Sequence, residues 1–205
     1  MSIWVQIIYN MMSSIQQFCS QFNSNSVLLF DLDGTLVETD KANNLAYLMA
    51  IKEIMGVNFG VNSIIRITRE KLSCLLPHAS KEELNKIISY KEKCFSNFLN
   101  CTRINTELHE VLKRYKDQNR LILITRSKRE RALRVLKHHR LLDYFQSTIC
   151  QCQDSSMEWK SKIPELLKDE DFNLQDLFLF ENEEAERLDA IKSGLKTNQV
   201  LIVNA

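Results

Sequence analysis

Glycine and proline are scarce in this chain of 205 residues, with four and two respectively. So few chain breakers predict a helix-rich fold with short connections. Charge imbalance is also missing. The formal net charge is +1, so no overall field points to a nucleic acid or a membrane. Internal repeats and low-complexity tracts are absent. The apolar opening "MSIWVQIIYNMM" is too short to span a bilayer, and it lacks the basic start and small-residue cleavage site of a signal peptide. It is expected to be a helix packed on the domain. The six cysteines show no framework spacing, and Cys150-Gln151-Cys152 is too tight for a usual disulfide or zinc site. Reduced thiols in a cytoplasmic protein are the expectation.

What is present is a core. Hydrophobic residues make up 44% of the chain. Continuous apolar runs at 27–30, 121–125, 177–180 and 199–203, with a weaker one at 147–150, read as strands buried on both faces. Helical periodicity fills the intervals near 127–140, 160–168 and 183–193, the last ending at Gly194. Such alternation predicts an α/β fold with a doubly wound parallel sheet. Residues 41–105 break the alternation. Helices near 41–56, 63–76 and 81–99, the last opened by a Ser80–Glu83 capping box, predict a small all-helical cap inserted after the first strand. The expected division is a core of 22–40 and 106–205, a cap of 41–105 and an extension of 1–21.

Ligands of open α/β sheets bind outside the carboxyl ends of the strands. The polar residues there are Asp31 and Asp33, then Thr125 and Arg126, then Glu181, Asn182, Glu183 and Glu184. Two aspartates two residues apart repel unless a cation lies between them or the pair does chemistry. One carboxylate can attack phosphorus and a second can move protons. A hard divalent cation such as Mg²⁺ suits these oxygen donors, and a lysine or arginine would hold phosphoryl oxygens.

The motifs carry a resemblance. "DLDGT" at 31–35 resembles the first motif of the haloacid dehalogenase-like (HAD) superfamily, and "LILIT" at 121–125 its second. "EWKSKIP" sits where the lysine-bearing third motif belongs, and "LFLFENEEAERLDAIKSGL" is similar to the fourth. The helical insert resembles the C1-type cap of the phosphoglycolate phosphatase-like and beta-phosphoglucomutase-like members. The resemblance implies a Mg²⁺-dependent phosphatase acting on a small phosphorylated metabolite, as monomer or dimer. It implies Asp31 as nucleophile and Asp33 as general acid/base. Thr125, Arg126 and Lys160 would bind the phosphate or substrate, with Lys162 as the alternative lysine. Metal ligands would be Asp31, Asp33 through its backbone carbonyl, Asn182 and Glu186. Asp33 argues against dehalogenation, which needs no such acid.

One motif departs from the pattern. Asn182 stands where most members have aspartate, so one charge is missing from the metal site. This leaves two further readings: phosphoryl transfer between sugar positions, and a degenerate member that binds a ligand or partner without turnover. The basic run "RSKRERALRVLKHHR" reads as a solvated helix face over the apolar stripe of Ala132, Leu133, Val135 and Leu136.

Overall fold

The structure is a computed structural model, and it describes residues 14–58, 66–151, 161–169 and 172–203. Its centre is a parallel sheet in the order β5-β4-β1-β6-β7. These strands are β1 (Val27–Phe30), β4 (Arg120–Lys128), β5 (Ser147–Gln151), β6 (Leu177–Glu181) and β7 (Val200–Ile202). Alternate residues serve opposite faces, as the strand period of two requires. Leu28, Phe30, Leu121, Leu123, Phe178 and Phe180 join one apolar cluster, while Val27, Leu29, Ile122, Ile124, Leu177 and Leu179 join the other.

Helices cover both faces. The first cluster is closed by α1 (residues 14–19), α5 (Thr106–Tyr115) and α6 (Arg129–His138). The second is closed by α7 (Lys162–Asp169) and α8 (Glu184–Lys192). The expected doubly wound α/β architecture is therefore present. Helix α1 belongs to the core itself. Ile15, Phe18 and Cys19 are buried in the same cluster as β1, and the Phe18 ring meets Phe180 edge-on at 5.1 Å. Part of the stretch expected as an extension is thus core.

Between β1 and β4 the chain makes α2 (Asp40–Met55), α3 (Arg69–Leu75) and α4 (Lys81–Cys94). They share an apolar cluster of their own around Tyr47, Ile51, Leu72 and Ile87. The Ser80–Glu83 capping box forms as the sequence predicts. The predicted 81–99 helix instead changes to a 3₁₀ helix at Phe95–Cys101. Entry and exit of this segment lie together, because β2 (Val37–Glu38) pairs antiparallel with β3 (Arg103–Ile104).

Register positions the site. Phe30 lies beside both Leu123 and Phe180, so Asp31, Thr125 and Glu181 follow within two residues of one level of the sheet, while β4 alone runs on to Lys128. The residues at and just past that level therefore converge on one edge of the sheet.

Candidate active site

Asp31 leaves β1 with its backbone N–H on Phe180 O at 3.0 Å. The chain then turns tightly: Gly34 N donates to Val37 O at 2.8 Å, and Val37 N to Leu32 O at 2.9 Å. Gly34 takes φ +84°, and a Cβ there would collide with Asn182 Nδ2. Glycine is required both by the backbone and by the neighbour.

The Asp31 carboxylate is buried and held on both sides. Lys162 Nζ donates to its Oδ1 at 2.6 Å, and Thr35 Oγ1 to its Oδ2 at 3.2 Å. Lys162 also donates to Glu181 Oε2 at 2.6 Å and lies 4.0 Å from Glu186. Glu181 is fixed in turn, its Oε1 accepting from the backbone N–H groups of Asn182 and Glu183. Burial pushes the Asp31 carboxyl up, to about 7, with Lys162 opposing and Glu181 and Asp33 adding repulsion. Burial would lower the Lys162 ammonium, but Asp31, Glu181 and Glu186 together hold it above the ordinary lysine value. Lys162, the second of the two candidate lysines, therefore occupies the position beside the nucleophile candidate. Lys160 lies outside the described residues.

Asp33 is held differently. Thr39 Oγ1 and Arg131 NH2 donate to its Oδ1, the arginine at 2.8 Å, and Ser127 Oγ donates to its Oδ2. Burial alone would raise this carboxyl. Arg131, Arg66, Ser127 and Thr39 overcome that and hold it well below the usual carboxylate range. In this arrangement Asp33 is a carboxylate, ready to accept a proton but with none to donate.

Thr125 is buried on the cavity wall, its Oγ1 accepting from Ser127 N at 3.1 Å. Strand β4 runs on past Thr125 to Lys128, with a register shift against β5 that carries Ser127 to Asp33. The helix predicted from residue 127 therefore starts at Arg129. Arg126 lies at the rim and pairs with Glu186 at 2.7 Å. Burial raises the Glu186 carboxyl against Lys162 and Arg126.

The expected solvated face of α6 needs correction at Arg131. This residue sits in the first turn, directly over Asp33, and is buried. A solvated-face reading treats every charge off the apolar stripe alike, whereas the tertiary fold carries this one into the pocket. Ser127, Thr39, Arg131 and Lys91 were not legible as site residues. Only the closeness of Ser127 to Thr125 offered a local signal.

Oxygen atoms converge where a metal would sit. Thr35 Oγ1 lies 3.2 Å from both Asp31 Oδ2 and Asn182 Oδ1, which brings two hard donors to one place. Among the described residues no three of His, Cys, Asp or Glu form a metal-holding group. By donor type the Asp31 carboxylate and the Asn182 amide oxygen suit a hard cation, the amide without a charge, although the described acids alone form no such group. A cavity of about 280 Å³ opens in front of these groups, walled on the far side by Asn43, Tyr47, Arg66 and Lys91.

A parallel doubly wound sheet with paired aspartates after its first strand and a lysine from the helix before β6 defines a class of α/β hydrolase. The sequence model of the haloacid dehalogenase-like hydrolases matches residues 28–200, and the chain belongs to that family. The provisionally named pyrophosphatase PpaX of Caldanaerobacter subterraneus is 30% identical over 125 residues, which is 58% of this chain and 56% of that protein's length. The fold is similar to a haloacid dehalogenase-like family protein from Streptococcus pneumoniae. That likeness has TM-score 0.68 and 18% identity, covering 87% of this chain and 84% of the other. It is also similar to CbbY from Rhodobacter sphaeroides, solved in complex with phosphate. There the TM-score is 0.70 at 17% identity, covering 88% and 86% of the two chains. Among the described residues no helix is long and apolar enough to cross a membrane.

Proposed function

We propose that this protein is a Mg²⁺-dependent hydrolase of small phosphomonoesters that works through an aspartyl-phosphate on Asp31. The observation that carries this reading is the Asp31 carboxylate, buried at the mouth of the cavity between the Lys162 ammonium and the Thr35 hydroxyl. An Asp31 oxygen attacks phosphorus, and the bond to the leaving oxygen breaks. Lys162, Thr125 and the rim residue Arg126 face the phosphoryl oxygens and offset their charge. Water then attacks the acyl phosphate and gives its proton to Asp33, which restores Asp31 and releases phosphate. The proton that Asp33 takes from water in this half is the one it gives to the leaving oxygen in the first half of the next cycle, so the two halves balance. The metal would be held by Asp31, the Asp33 backbone carbonyl and Asn182, and when bound it supplies charge neutralisation for the anionic phosphoryl group. Glu186, paired with Arg126, is a weaker candidate ligand than the sequence implied.

The helical segment 41–105 closes over the cavity on the β2–β3 connection, excluding water during attack and admitting it afterwards. Phosphate release from an aryl phosphate, measured with and without Mg²⁺ beside Asp31→Asn, tests this reading. Wild type and variant equally inert across a panel of phosphomonoesters would refute it. Phosphate transferred to another sugar position instead of released would identify a mutase.

A second reading rests on Asn182. With an amide at this position, the protein would bind a phosphorylated ligand without turnover. Phosphate binding with no release, restored to turnover by Asn182→Asp, distinguishes the two.

A further inference from the structure

The Arg131 guanidinium is only partly used. Its NH2 donates to Asp33 Oδ1 at 2.8 Å, but its Nε is buried and donates to nothing, the one such side-chain atom among the described residues. The group lies on the Phe95 ring, Cζ 4.1 Å from the centroid, and a flat cation on a flat ring can slide while keeping that contact. A side cavity of about 40 Å³ adjoins it, lined by Arg131, Phe95 and Glu92 among others. Glu92 also reaches the main cavity. Its Oε1 accepts from Lys91 Nζ at 3.0 Å, while its Oε2 has no partner among the described residues. One cavity therefore holds an orphan donor and a spare carboxylate oxygen.

A buried donor without an acceptor costs free energy and calls for a reason. Holding Asp33 gives none, because NH2 does that already. The donors on Asp33 are Thr39 and Arg131 at Oδ1 and Ser127 at Oδ2. When Asp33 carries a proton, the Thr39 and Ser127 hydroxyls can turn and accept it, but a guanidinium has no acceptor and has lost its counter-charge. Arg131 then needs another anion. Burial would raise the Glu92 carboxyl, but Lys91, Arg131 and Lys128 hold it below the ordinary glutamate value, so Glu92 is that anion.

We propose that Glu92 is a positioning residue, the alternative acceptor on which Arg131 rests while Asp33 meets the leaving oxygen. Water breaks its O–H bond, the proton goes to Asp33, and Arg131 slides along Phe95 to Glu92 Oε2, with Lys91 staying on Oε1. When Asp33 passes that proton to the leaving oxygen, its carboxylate is restored and Arg131 returns. The inference rests on the hydrolase reading for the proton's destination; the exchange of Arg131 between two carboxyl groups does not require turnover.

The test is a series of phosphomonoesters whose leaving groups run from nitrophenol to simple alkanols. In wild type kcat should change little along the series, because the oxygen leaves protonated. In Glu92→Gln the alkyl esters should slow at least about tenfold, while the nitrophenyl ester, whose anion departs without a proton, should change less than about twofold. Glu92→Asp should recover part of the loss. A wild-type rate that falls steeply along the series overturns the proposal, and so does a Glu92→Gln loss that is absent or equal for every ester, as lost packing would give. If wild type hydrolyses no ester, the hydrolase reading fails and stability reads the exchange instead. Asp33→Asn stands in for the protonated carboxyl, so Glu92→Gln should lower the melting temperature by at least about 2 °C more in that background than in wild type. A larger fall supports the exchange without turnover, and an equal or smaller one overturns it. Where Glu92→Gln does not fold, the crystal structure of Asp33→Asn decides: Arg131 Nε on Glu92 supports the proposal, and Arg131 anywhere else overturns it.

Discussion

Arg131 and Asp33 form a buried ion pair at 2.8 Å between residues 98 apart in sequence, and both side chains are about nine-tenths buried. The pair joins the first turn of α6 to the turn after β1. It also fixes the protonation state of the second aspartate, because a guanidinium at that distance keeps the carboxylate ionised.

Arg131→Met should therefore destabilise the protein strongly. Removing one partner leaves a buried charge uncompensated, which costs about 3–5 kcal/mol. Urea denaturation should show the midpoint falling at unchanged slope, and Arg131→Met/Asp33→Asn should recover part of the loss. A midpoint unchanged in the single variant would show that the ion pair contributes nothing.

Two carboxylates give opposite pH dependence. Asp33 has its folded value depressed, so its contribution is present above the unfolded value of about 3.9 and is lost as pH falls below that. Asp31 has its value raised to about 7, so its stabilising contribution is present in acid and lost as pH rises through about 7. Activity runs the other way, since the nucleophile must be ionised. The kcat/KM profile should fall in acid as the Asp31 carboxyl is protonated, and a profile flat in pH would contradict this.

Lys162→Met should leave Asp31 and Glu181 buried without their shared cation. Activity should fall by at least 10²-fold, and the protein should melt several degrees lower. Its pH–stability curve should shift towards acid, because protonating either carboxyl then relieves repulsion. An unaltered pH–stability curve would count against the ion-pair geometry.

Asn182→Asp should strengthen divalent metal binding by roughly tenfold, since a charged donor replaces a neutral one beside Asp31 Oδ2. Metal titration by calorimetry reads this directly. Equal affinities would place the metal away from residue 182.

Gly34→Ala should cost about 1–3 kcal/mol through its positive φ, and more through the collision of the new Cβ with Asn182 Nδ2. Thermal melting measures this. Pairing it with Asn182→Ala should restore part of the loss, because the contact is then removed and only the backbone strain remains.

Much of this was legible in the sequence. Buried strands betray themselves as continuous apolar runs, so β1, β4 and β6 stood out, and their alternation with helices implied the parallel sheet. Asp31, Asp33, Thr125 and Asn182 were legible because each sits within a few residues of a strand end. The lysine was not, since Lys160 and Lys162 are both polar residues near a helix start. Only the packing of α7 against the sheet places one of them 2.6 Å from Asp31.

The residue order alone thus determined the class of fold and the pair of aspartates, because both are local: a period of apolar residues, and a turn directly after a strand. The tertiary structure decided the electrostatics. Arg131 and Lys91 lie on helices whose sequence spacing reads as ordinary surface, and the docking of those helices over the sheet edge buries them. A side chain's charge is written in the sequence. The solvent around it and the distance to its counter-charge depend on elements far away along the chain, and those two quantities set what each carboxylate can do.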